Sequence, residues 1–160
     1  MKIPNHLKHK SVIVAEDYDS LDGQYSGPDT DAKGLSLGLA QWNDRGHVDI
    51  SAKIWRHTGE KWSRQSEEMP LHRVLDLALL ICEAQKHMKE AYRFENLYDP
   101  QNTEIGSIDL QGEKMSVTVN TDNPMINEDM KLFRDCLSKE GERIGERMRR
   151  LADALEELGY

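Results

Sequence analysis

Thiol chemistry is nearly absent from this chain of 160 residues, which carries two cysteines, Cys82 and Cys136. Neither has a second cysteine or a histidine at metal-ligand spacing, which excludes a zinc ribbon and a Cys-X-X-Cys redox pair. Two buried free thiols in a reducing cytosol are expected. Long apolar runs are missing too. The longest is Leu77–Cys82, far short of a membrane span, and the opening "MKIPNHLKHK" is polar and basic rather than a signal segment. A cytoplasmic protein without a membrane segment is expected. Positive charge is scarce: 21 Lys and Arg stand against 29 Asp and Glu, for a net charge of −8. With no segregated basic block, such a chain repels phosphate backbones, which disfavours nucleic acid as a partner. Catalytic motifs are lacking as well. There is no HExxH, no HxE and no serine or cysteine in a nucleophile elbow, so no catalytic residue is assigned.

What is present is apolar periodicity. The pattern predicts one α+β domain over 1–160, with a lead-in at 1–10 and a helical C-terminal part at 124–159. "SVIVA", 11 to 15, reads as a buried strand. "GLSLGLAQW" and "HVDISAKIW" alternate with period two, the mark of strands with one buried face. Antiparallel pairing across Asn43–Gly46 sets Leu35 opposite Ile54, Leu37 opposite Ala52 and Leu39 opposite Ile50, because a slip of one residue would turn a strand inside out. The leucine side is the expected underside. The upper side carries Ser36, Gly38, Ser51 and Lys53, with Trp42 and Trp55 near its ends. It is a shelf for a flat ligand or a peptide, a surface packed by the N-terminal strand or another subunit, or a plain solvent-exposed face. "KWSRQS" is the candidate third strand.

Pro70 suits a first helical position, and the apolar residues that follow predict a central helix over 70–92, packed on the sheet and covered elsewhere. "IGSIDLQGEKMSVTV" predicts a second hairpin turning at Gln111–Glu113. Asn123 and Pro124 open a helix, and the apolar seam shifts sides at 138–142, which predicts two C-terminal helices. Their narrow seams suit self-association through these helices.

"DYDSLDGQYSGPDTDAKG", 17 to 34, holds five aspartates. Read as a calcium hand from Asp29, it places Lys33 where the fifth position needs an oxygen and Ala40 where the twelfth needs a glutamate. It reads instead as a polar, turn-rich loop whose end, at Lys33 and Gly34, lies at the lip of the sheet. No metal ligands and no cofactor are assigned. His47 with Asp49, and His72 with Asp76, each share a face at general-base spacing, without a nucleophile beside them.

Residues 30 to 80, "TDAKGLSLGLAQWNDRGHVDISAKIWRHTGEKWSRQSEEMPLHRVLDLALL", with "LYDP" and the final "ELGY", resemble a family of small bacterial proteins carrying a domain of unknown function. The resemblance implies a bacterial or phage source and transfers no activity. The leading expectation is a non-catalytic binding or regulatory module, oligomeric, taking a protein partner or a small anionic ligand. The expected ligand contacts are Asp31, Lys33, Lys53, Trp55 and Arg64, with Trp42 and Asp49 next. The alternatives are a small enzyme acting on a phosphorylated or nucleotide-like substrate, and single-strand binding through the Trp and Arg face.

Overall fold

The first hairpin forms in the register that its alternation dictates. In the computed structural model, which describes residues 1–4, 7–26 and 29–160, β2 (Ala32–Leu39) and β3 (Ile50–Arg56) pair antiparallel. Leu35 faces Ile54, Leu37 faces Ala52 and Leu39 faces Ile50. On one side β2 is flanked by β1 (Lys10–Glu16), and on the other β3 is flanked by β4 (Glu68–Pro70), giving a four-stranded antiparallel sheet in the order β1-β2-β3-β4. The third strand is therefore not "KWSRQS". Gly59, at φ +94°, turns the chain back so that His57 bridges Trp62, and extended pairing resumes only at Glu68. Pro70 ends this edge strand opposite Ser51, a place where its missing N–H is tolerated. The helix α2 (Leu71–Glu90) begins one residue later than expected.

The acidic stretch is not a loop throughout. Residues Asp19–Ser26 form a short helix, α1, with Asp19 and Asp22 in its first turn, where carboxylates favour the helix dipole.

Of the readings offered for the small-residue side, the packed one holds, and it is the leucine side, expected as the buried underside, that is open. Ser36, Ser51, Lys53 and Trp55 are buried, at 4%, 0%, 7% and 1% exposure. The leucine side is open: Leu37 and Leu39 are about 40% exposed and Ile50 is 55% exposed. Ile13 and Ala15 of β1 pair with Leu37 and Leu35, and Met69 of β4 pairs with Ala52, so the apolar face runs across all four strands. The cover on the small-residue side is the N-terminal segment. Ile3, Pro4 and His9, in the stretch expected as a lead-in, are buried. The reason is close backbone approach. A Cβ on Gly34 would come 2.8 Å from Ile3 Cδ1. A Cβ on Gly38 would overlap the Lys10 carbonyl oxygen and lie 2.9 Å from Ser11 Cα. Gly34, Ser36 and Gly38 are small because another stretch of chain lies on them.

Gly38→Ala forces backbone against backbone at the bulge between Ser11 and Ile13. It should cost about 1–3 kcal/mol, as overpacking does. Denaturant unfolding and amide exchange of β1 would read it, and an unchanged midpoint would refute the close approach.

The chain divides into two compact units, Met1–Ala78 and Leu79–Tyr160. The second contains the predicted hairpin, β5 (Glu104–Leu110) and β6 (Glu113–Thr118), joined by Gln111 and Gly112, both at positive φ. That is the two-residue turn whose twist matches the strands. Two helices follow, α3 (Ile126–Lys139) and α4 (Gly141–Glu157), parting at Glu140 as the seam shift predicts. The start of α3 differs: Asn123 caps the turn before it, its Oδ1 accepting the Met125 amide at 2.9 Å. Ala91, Leu97, Tyr98, Val119 and Met130 form the core of this unit. No residue of α2 is buried, and Leu75, Leu77, Leu79, Leu80 and Ile81 of its wide stripe are exposed. Both cysteines are free, but Cys82 is half-buried and Cys136 exposed rather than buried.

Candidate functional site

The small-residue side of the sheet holds a buried polar network. Glu68 is its hub: its side chain is 1% exposed although it lies on an edge strand. Its Oε1 accepts the Gln41 amide at 2.9 Å and the Ser51 hydroxyl at 2.8 Å, and His9 Nδ1 lies 3.1 Å away. Its Oε2 takes Lys53 Nζ at 3.3 Å. Burial pulls the Glu68 carboxyl upward. The Gln41, Ser51 and His9 hydrogen bonds and the Lys53 charge outweigh this and hold it below the usual glutamate range. Lys53 also lies 4.5 Å over the Trp55 ring, a second favourable setting for its charge.

The partners assign the histidine tautomer. With Nδ1–H donated to Glu68, His9 Nε2 accepts the Ser36 hydroxyl at 2.9 Å, and Ser36 Oγ accepts Trp55 Nε1–H at 2.8 Å. Hydroxyl, imidazole and carboxylate stand in the order of a hydrolase relay. The setting is wrong for that chemistry: Ser36 and His9 are buried, and Trp55 packs edge-on against His9 at 5.8 Å between ring centres. A nucleophile must meet its substrate. Ser36 instead links one buried ring to another, and the network rigidifies the sheet.

One side of this network faces a cavity of about 830 Å³. His9 and Lys53 form part of its lining, and Lys8, His57, Lys61, Trp62 and Arg64 supply more of it. The turn at Gly59 positions this wall. His57 Nδ1 accepts the Gly59 amide at 3.1 Å, and its ring stands edge-on to Trp62 at 5.2 Å. Trp62 in turn meets Trp55 at 5.9 Å. Lys8, Lys61 and Arg64 make no ion pair with another described residue. Glu60 is the one carboxylate among the described lining. The cavity thus offers three cations outside any ion pair among the described residues, one carboxylate and an aromatic wall.

Of the residues nominated from sequence, Lys53 and Arg64 come together here, with Trp55 behind them. The others lie elsewhere. Lys33 pairs with Asp19 at 3.0 Å. Asp31 lies 3.6 Å from Arg56 on a separate cavity of about 600 Å³ that Asp22 and Asp29 also line. Trp42 and Asp49 meet at the hairpin end, where Trp42 Nε1 donates to Asp49 Oδ2 at 2.7 Å and His47 Nε2 lies 3.0 Å from the same oxygen. Those bonds, Trp42 first, hold the Asp49 carboxyl below its ordinary range. Sequence reasoning missed His9 and Glu68. The one local signal was Lys53: a lysine on the small-residue side of a central strand needs a carboxylate if that side is covered. Among the described residues, no three His, Cys, Asp or Glu side chains are grouped as a metal ion would require, and no helix is long and apolar enough to cross a membrane.

The chain matches the family of unknown function DUF6530 over residues 1–160 and belongs to it. No curated protein and no solved structure matches it.

Proposed function

We propose that this member of a family of unknown function is a non-catalytic binding module that takes a small anionic ligand with a flat, nucleotide-like part. One observation carries the reading: Lys8, Lys61 and Arg64, which make no ion pair with another described residue, line a cavity of about 830 Å³ beside Trp62, with Glu60 as its one carboxylate among the described lining. In a chain of net charge −8, cations without carboxylate partners at a concave site suit an incoming phosphate or carboxylate. The volume falls in the range of small-molecule sites. Trp62 puts an aromatic ring in the lining, the kind of side chain on which planar ligands stack. Two free cysteines support a reducing, cytoplasmic setting for this module.

Nucleoside monophosphates and inorganic pyrophosphate are the first probes. A bound probe at a hundredfold excess over its Kd should stabilise the native state by about 2.7 kcal/mol, read as a rise in thermal midpoint. Arg64 is exposed, so Arg64→Glu should keep the fold and abolish the rise. A rise that survives in Arg64→Glu, or no rise with any probe, would overturn the reading.

A further inference from the structure

We propose that the anion site selects a doubly charged terminal group, the phosphomonoester dianion of a nucleoside monophosphate, over a singly charged phosphodiester. The selection rests on the anion site proposed for this cavity and specifies the charge of its occupant. Lys8, Lys61 and Arg64 line the cavity and make no ion pair with another described residue, while Glu60 is the one carboxylate of the described lining. Lys53 adds nothing to this balance, because its ammonium is taken by Glu68 at 3.3 Å. Nor do the two histidines as they are bonded. A ring nitrogen that accepts a hydrogen bond carries no proton. His57 Nδ1 accepts the Gly59 amide at 3.1 Å, and His9 Nε2 accepts the Ser36 hydroxyl at 2.9 Å. Three cations against one carboxylate leave two positive charges on the described wall. Their complement is a phosphomonoester, which carries about −1.5 to −2 at pH 7.

The backbone fixes where two of these cations start from. The Thr58 amide donates to the Lys61 carbonyl at 2.9 Å, the Ser63 amide to the Arg56 carbonyl at 2.7 Å, and the Gln65 amide to Ser63 Oγ at 3.0 Å. Lys61, Trp62 and Arg64 therefore stand on one folded turn, and Lys8 reaches the same cavity from the stretch before β1. Side chains on a backbone that is already ordered lose less freedom when they close on a ligand. Arg64 adds geometry to charge, since a guanidinium meets two oxygens of one phosphate at once. A monoester presents all its terminal oxygens to such a fork, and a diester gives one of them up to its second ester bond. A longer chain of phosphates brings negative charge beyond what this wall offsets. The surplus then meets Glu60 and a chain of net charge −8.

Isothermal titration calorimetry of the full chain, in buffer without divalent cations, tests this with AMP, cyclic AMP and ATP. AMP should bind at least about tenfold more tightly than cyclic AMP, the weight of one charge-assisted hydrogen bond. ATP should bind no more tightly than AMP. Lys8 and Glu60 are exposed, so both can be changed with the fold kept, which far-UV circular dichroism checks. Lys8→Gln removes one positive charge and should narrow the ratio between AMP and cyclic AMP. Glu60→Gln removes the one carboxylate and should move the preference from AMP toward ATP. Equal affinity for AMP and cyclic AMP, in binding that Arg64→Glu abolishes, would overturn the dianion and leave the anion site standing. Ratios unmoved by both variants would do the same. No binding of any of the three would overturn the site and the selection together.

Discussion

Glu68→Ala is expected to destabilise the fold by about 3–5 kcal/mol, the cost of leaving a buried charge without its partner. The substitution strands Lys53, 7% exposed, and removes the acceptor shared by the Gln41 amide, Ser51 and His9. Against a domain stability of about 5–15 kcal/mol, this is enough to shift the unfolding midpoint severely. Glu68→Gln separates the parts: it keeps an acceptor but loses the charge, so it should cost less. Combined with Lys53→Met it should cost less than the two single changes added, since neither charge is then left alone. The double-mutant cycle should return a coupling of about 0.5–3 kcal/mol. Strict additivity would mean the pair is not coupled.

The same carboxylate sets a pH dependence. Its folded pKa lies below its unfolded value. The stability it contributes is therefore fully present above the ordinary glutamate value of about 4.3 and is lost as pH falls from there through the lower folded value. Unfolding midpoints measured down that acid limb should fall more steeply in the wild type than in Glu68→Gln. Parallel curves would show that Glu68 carries no such linkage.

Trp55→Ala is the second large effect, also about 3–5 kcal/mol, as expected for removing a fully buried tryptophan. Trp55 is 1% exposed and touches His9, Trp62 and Lys53 together. Its loss opens a cavity under the cationic site and removes the ring beneath the Lys53 ammonium. Trp55→Phe keeps most of the ring volume but loses the N–H that Ser36 accepts, and should cost nearer 1 kcal/mol. Fluorescence supplies an independent check. Trp42 is 39% exposed and Trp62 partly so, leaving Trp55 as the buried emitter. The blue component of the emission should vanish in Trp55→Phe. If the spectrum is unchanged, Trp55 is not enclosed as described.

Much of the architecture was legible because it is local. Period-two alternation, with the rule that a one-residue slip inverts a strand, sets the β2–β3 register. Gln111 and Gly112 mark the second hairpin, and the drift of the apolar seam marks the break at Glu140. Errors fell where a turn or a distant segment competes with local pattern. Gly59 folds "KWSRQS" away from the sheet, and the aspartates at 19 and 22 start a helix rather than extend a loop. The candidate site was half legible. Lys53 and Trp55 came from the small-residue face of the hairpin, and Arg64 from the Trp and Arg face beyond it. His9 sits in a polar stretch with no period, and Glu68 carries its network from an edge strand of three residues, so neither had a pattern to announce it.

By itself the sequence determined that two strands pair with all their leucines on one side and all their small polar residues on the other. Alternation distinguishes two faces and carries no information about which one the chain will cover. That choice belonged to tertiary structure. The N-terminal segment needs backbone-close contact, which Gly34, Ser36 and Gly38 permit and leucines forbid. Once His9 lies there, Glu68 and Lys53 satisfy one another in the interior, and the apolar face is left turned outward.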